Sequence, residues 1–250
     1  MQRYFIDEAY NEELPIYLTG EDYHHIVRVM RMKEDDHIFV VFNDQASAIS
    51  RIETISSDSV EVSIVQWETT TVELPIKVTI ASGLPKGDKL ELIFQKGTEL
   101  GAAQFIPFNA DRSIVKWDAK KAKKKVERWE KIVKEAAEQS HRLLIPQVLS
   151  PVSLKELLKL GQEFDYKLVA YEEEARAGEK GNLSTTLTSI KEGQSVLVVF
   201  GPEGGLSDKE IQLCKEEGFL TCGLGPRILR TETAPLYVLS AISYQLELMR

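Results

Sequence analysis

Apolar and polar positions alternate through residues 37–67. HIFVVF, the turn signal Asn43-Asp44, ASAISRIETI and SVEVSIVQW follow one another with a period of two. That period puts alternate side chains on one face of a strand, so it predicts a small antiparallel β unit, a compact barrel. Just before it, EDYHHIVRVMRM (21–32) spaces Ile26, Val29 and Met30 as one face of a helix. The spacing predicts a helix that buries these three. His24, Arg28 and Arg31 would share another face, because residues three and four apart are helix neighbours.

The pattern changes after TTTVELP (69–75), which has no core periodicity and ends in Pro75. IKVTIASG (76–83) reads as a buried strand, and GDKLELIFQKGTEL as a helix closed by Gly101. QFIPF is a short strand, and a long helix spans roughly 118–140. KLVAYE (167–172) and SVLVVF (195–200) are strands, with an exposed loop at 172–182. SDKEIQLCKEEG is a helix opened by a capping box of Ser207 and Glu210. FLTCGLG is a further strand, and TAPLYVLSAISYQLELM is the final helix. Strands alternating with helices predict a mostly parallel α/β sheet. Two domains follow: a β domain over 1–72 and an α/β domain over 73–250.

Composition narrows the class. Of 250 residues, 43% are hydrophobic and 28% charged, which excludes wholesale disorder. Cys214 and Cys222 build neither a disulfide scaffold nor a zinc knuckle, so no metal is expected and a reducing, cytoplasmic compartment is. The start MQRYFIDEAY meets acids at Asp7 and Glu8 and no apolar core of a signal peptide follows. The longest apolar runs, such as 196–200, fall far short of the roughly 20 residues of a membrane helix.

The net charge of −8 argues against non-specific nucleic-acid binding, but its distribution is uneven. Residues 1–72 carry 5 basic and 14 acidic side chains, net −9, and residues 73–250 carry net +1. Residues 112–134 alone hold 10 basic and 3 acidic side chains. Such a patch binds phosphates, although most charge runs are simply solvated helix faces.

Three loops follow strands of the α/β domain, where ligands of open α/β sheets bind. The first follows KLVAYE. The second is GPEGG (201–205), whose glycines permit close backbone approach to a ligand. It is neither G-x-G-x-x-G nor a P-loop, and a plain tight turn explains it equally well. The third, LGPRILRTETAP (224–235), crowds Arg227, Arg230 and Glu232 beside a helix start. A helix cap by Thr231 or Thr233 accounts for its threonines but not for those charges.

FGPEGGLSDKEI followed by LGPRILRTETAPLYVLSAIS resembles the bacterial small-subunit (16S) rRNA uridine-N3 methyltransferases, of the SPOUT class of S-adenosylmethionine enzymes. HHIVRVMRM, KGDKLELIFQKGTELG and EAAEQSHRLLIPQV fit the same family, so the resemblance spans essentially the whole chain. It implies a PUA-like barrel that helps hold RNA, then an α/β domain carrying a deep trefoil knot, in a homodimer. By position, S-adenosylmethionine would be held by Ala170, Tyr171, Phe200, Gly201, Pro202, Glu203, Gly205, Leu224, Gly225, Ile228, Leu229 and Ala234. Arg230, Glu232 and Thr233 would stand near the reacting base. His24, Arg28 and Arg31, with Arg112, Lys116, Lys123 and Lys124 of the basic run, would contact 16S rRNA in the 30S subunit. A non-catalytic assembly protein and a SPOUT enzyme with another target position are the rival readings. A nicotinamide enzyme is remote, because the dinucleotide fingerprint is absent.

Overall fold

The computed structural model describes residues 1–115, 119–172 and 181–249. The chain divides into two compact units, Met1–Glu73 with Ala137–Leu144, and Leu74–Ala136 with Ile145–Arg250. The return of residues 137–144 to the first unit is invisible in the periodicity. Its cause is Glu73, which pairs with the buried Arg142 and accepts the Leu143 N–H at 2.8 Å. A buried charge left without such a partner is strongly destabilising.

In the first unit, β1 (Arg3–Phe5), β2 (Ile16–Thr19), β3 (His37–Val41), β4 (Ser47–Ile55) and β5 (Ser59–Trp67) form one sheet in the order β1-β3-β4-β5-β2. β1 runs parallel to β3, and the other pairs are antiparallel. Register shifts at Ile49/Ser50 and Ile52/Thr54 curl the sheet into a half-barrel. Its inner face buries Tyr4, Leu18, Ile38, Val40, Ile52 and Val60.

The helix expected over 21–32 is a correction. A short helix, α1 (Gly20–His24), passes into a π turn over His25–Val29, closed by Met30 N–H on the His25 carbonyl at 2.9 Å. Arg31 then takes a φ of +54°. Ile26 is fully buried, but Val29 and Met30 are 57% and 40% exposed. The wider π turn carries both off the 3.6-residue stripe that the spacing implied.

The second unit holds an all-parallel sheet in the order β12-β10-β11-β6-β7-β8, with β9 beside β7. In chain order the elements are β6 (Lys77–Gly83), α2 (Lys89–Glu99), β7 (Gln104–Asn109), α3 (Ala119–Gln139), β8 (Gln147–Val148), β9 (Val152–Ser153) and α4 (Leu154–Leu160). There follow β10 (Tyr166–Ala170), α5 (Asn182–Ser189), β11 (Ser195–Phe200), α6 (Asp208–Glu216), β12 (Leu220–Cys222) and α7 (Thr233–Ser243). β11 shows why the sheet lies in the middle. Val196, Val198 and Phe200 join Phe94 of α2, Trp129 of α3 and Leu239 of α7 in one core. Leu197 and Val199 join Leu157 of α4 and Ile211 of α6 in the other. A strand covered on both faces needs an unbroken apolar run, and each such side chain contributes about 1.5–3 kcal/mol on burial. Helices on both faces leave one edge free for chemistry: the carboxyl ends of β10, β11 and β12.

Candidate active site

The loops after β10, β11 and β12 meet around a cleft of about 710 Å³. That size suits a small ligand. Its walls combine the strand ends Ala170 and Phe200 with Gly201–Leu206 and with Leu224, Gly225 and Arg227–Thr231.

The GPEGG loop is tightly tied. A Cβ on Gly201 would lie 2.8 Å from the Gly205 carbonyl carbon and 2.9 Å from the Leu206 nitrogen, so only glycine fits. Gly205 N–H donates to the Pro202 carbonyl at 2.8 Å, closing the turn. Arg112 donates to the Gly204 carbonyl at 3.0 Å, and Thr231 Oγ1 donates to the Gly201 carbonyl at 2.6 Å. Glu203 accepts from Lys86 N–H at 3.1 Å and from Lys89 Nζ at 2.8 Å. Burial alone would raise the Glu203 carboxyl, but hydrogen bonds from Lys89, its own backbone and Lys86 hold it below the usual range. The Glu203 bond in turn raises the Lys89 amine above its ordinary value against its desolvation. The loop's one negative charge is thus answered within the protein.

Behind the loop, Ser207 and Glu210 form the capping box that opens α6. Glu210 is buried and also accepts the Asp111 N–H at 2.8 Å. Burial, with Glu210 nearby, pushes the neighbouring Cys214 thiol up to about 12. Neither cysteine is in a disulfide and both are buried, which leaves them unreactive.

The third loop differs. Arg227 and Arg230 are exposed, and their guanidinium groups have no hydrogen-bond or ion-pair partner among the described residues. Ile228 between them is 69% exposed. The threonine cap that would have explained this loop without a ligand does not form: Glu232 occupies the cap position without a side-chain bond, and Thr231 is turned to Gly201. One Glu232 oxygen, Oε2, is buried without a hydrogen-bond partner among the described residues, 3.7 Å from Lys89 Nζ.

All twelve residues named from the resemblance as cofactor contacts line this cleft, and so does Arg230. Glu232 and Thr233 stand just behind the lining, at the start of α7. Arg112, read as part of the basic run, lines the cleft instead of standing in an open patch. Lys123 and Lys124 are exposed on α3, whereas Lys125 and Arg128 of the same run pair with Glu91 at 3.3 and 2.7 Å. Lys116 lies outside the described residues. His24, Arg28 and Arg31 are exposed in the first unit, before, within and after the π turn respectively. Sequence reasoning missed Lys89, Glu172 and Asp208, which enter the lining from α2, from beyond β10 and from α6. Only the fold brings them in; no local spacing marks them. Among the described residues no cluster suits a metal ion, and no helix is long and apolar enough to cross a membrane.

Comparison with known proteins agrees along the whole length. The model of an RNA methyltransferase domain matches residues 72–243, and that of an RNA methyltransferase PUA domain matches residues 18–65. Ribosomal RNA small subunit methyltransferase E of Bacillus subtilis is 56% identical over 100% of this chain and 99% of its own. Its namesake in Synechocystis is 33% identical over 94% of this chain and 75% of its own. The crystal structure of a ribosomal RNA small subunit methyltransferase E from Neisseria gonorrhoeae bound to S-adenosyl methionine superposes with a TM-score of 0.83, at 30% identity over 97% of each chain. With an RNA methyltransferase α/β unit, a PUA-like curled sheet and matches of this extent, the chain belongs to the family of ribosomal RNA small subunit methyltransferase E.

Proposed function

We propose that this chain transfers the methyl group of S-adenosylmethionine to N3 of a specific uridine in 16S rRNA, as a cytoplasmic homodimer acting during or after 30S assembly. The trefoil knot implied by the resemblance belongs to the same reading. The observation that carries it is the convergence of three loops, distant in sequence, on one cleft lined by every expected cofactor contact.

The residues present fit such a ligand. Phe200, Leu206, Leu224, Ile228 and Leu229 offer apolar walls for an adenine, and Glu172 and Asp208 offer carboxylates for an ammonium group. Gly201 leaves its backbone bare where a Cβ has no room. S-adenosylmethionine supplies an electrophilic methyl group on a sulfonium.

The chain's own task is alignment and charge. The loops hold donor and acceptor in line, and orientation of this kind supplies several kcal/mol of the barrier. Uracil N3 carries a proton at neutral pH and is engaged in a paired base, so the uridine must be unpaired or flipped out. Arg230, without an ion-pair partner among the described residues, stabilises the uracil anion formed as the N3 proton passes to solvent. Glu232, 3.7 Å from Lys89, is placed to accept a hydrogen bond from the ligand, and Thr233 offers a hydroxyl to the base edge. His24, Arg28, Arg31, Lys123 and Lys124 contact phosphates, which makes RNA affinity fall steeply with salt.

Calorimetry tests the cleft: titration with S-adenosylmethionine gives saturable one-site binding, and NAD as control ligand gives none. Absence of S-adenosylmethionine binding, alone and with 30S particles present, would return the chain to a non-catalytic assembly role.

A further inference from the structure

Lys89 opens α2, and a cation in a helix's first turn opposes the helix dipole. Helix stability therefore does not explain it. Its amine leaves the helix for two loops of the cleft, 2.8 Å from Glu203 Oε1 and 3.7 Å from Glu232 Oε2. Glu203 belongs to GPEGG, and Glu232 lies two residues beyond Arg230. Lys86 N–H steadies Glu203 from the same approach to α2. For Glu232 Oε2, buried and without a hydrogen-bond partner among the described residues, Lys89 is a cation in reach. Lys89 thus engages both acids, while Arg230 has no ion-pair partner among the described residues.

We propose that Lys89 is a positioning residue, a clamp that ties the GPEGG loop to the Arg230 segment and sets the distance from methyl donor to Arg230. The clamp rests on the methyl-transfer reading of the same cleft. Because Lys89 and Glu203 are about a third exposed, their ion pair adds little to global stability. Its effect is local.

The test compares wild type, K89R and K89M in three ways. Hydrogen exchange of the ligand-free protein reads residues 201–206 and 227–232. In K89M both segments exchange about tenfold faster, and K89R stays near wild type, while Tm moves by no more than about 2 °C. Calorimetry then finds S-adenosylmethionine bound about tenfold more weakly by K89M. In methylation of 30S particles kcat falls, KM for the particle holds, and K89R recovers most of the rate. The double variant K89M/E203Q is no worse than K89M. Unchanged exchange in K89M overturns the clamp, as do losses in K89M and E203Q that multiply. A rise in KM for the particle alone also overturns it, since Lys89 then touches RNA. If wild type methylates nothing, the reading of the cleft fails, and the ligand-free exchange still decides the clamp.

Discussion

Two loops of the cleft begin alike and end differently. Gly201-Pro202 and Gly225-Pro226 each follow a strand of the parallel sheet. The first loop is held by Arg112, Thr231, Lys86 and Lys89, and closes on itself through Gly205 and Pro202. The second presents Arg227 and Arg230 without partners among the described residues and leaves Ile228 exposed. A loop with its bonds already made is a preformed cradle, whose shape costs nothing at the moment of binding. Exposed guanidinium groups at the rim of a cleft are available to an anionic ligand. On the proposed reading, 201–206 with the apolar Ile228 and Leu229 shapes the cofactor site, and Arg227 and Arg230 supply charge for the substrate, with Thr231 and Lys89 joining the two loops.

Substitutions separate the two assignments. The largest effect is expected from R230A: the methylation rate falls about 100- to 1,000-fold while S-adenosylmethionine binding stays intact, since one stabilising donor to a developing anion is removed. If R230A loses cofactor binding instead, the division of labour collapses. G201A is next and acts in the reverse sense. Its methyl group meets backbone, so the loop must shift at a cost of about 1–3 kcal/mol, read as a lower Tm and lost binding in calorimetry. T231V tests the strap between the loops. Loss of its bond to the Gly201 carbonyl costs about 1 kcal/mol, roughly fivefold in affinity for S-adenosylmethionine. The smallest change is expected from R227A, where rate and cofactor affinity hold and the salt slope of rRNA binding falls by about 1. An unchanged slope would remove Arg227 from the RNA surface.

Much of this arrangement was readable from residues alone, and the exceptions are physical. SVLVVF announced a doubly covered strand because burial on both faces demands an apolar run. Ser207 and Glu210 announced the start of α6 because a capping box is a local device. The twelve lining residues came from motif resemblance, since a loop's ligand has no periodicity to betray it. Lys89 and Asp208 stayed hidden because their role comes from the ends of separate elements meeting in space. Val29 and Met30 were misplaced because one π turn breaks the helical period, and nothing in HHIVRVM marks it. Arg142 and Glu73 pair across 69 positions, beyond any local pattern.

The most direct test is the chemical identity of the product. Purified protein, labelled S-adenosylmethionine and 30S particles lacking the modification are incubated, and the 16S rRNA is digested to nucleosides. Label in 3-methyluridine at a single site is the expected result. Label in a ribose-methylated nucleoside or in another base would contradict uridine-N3 as the target, and no label at all would contradict methyl transfer by this cleft.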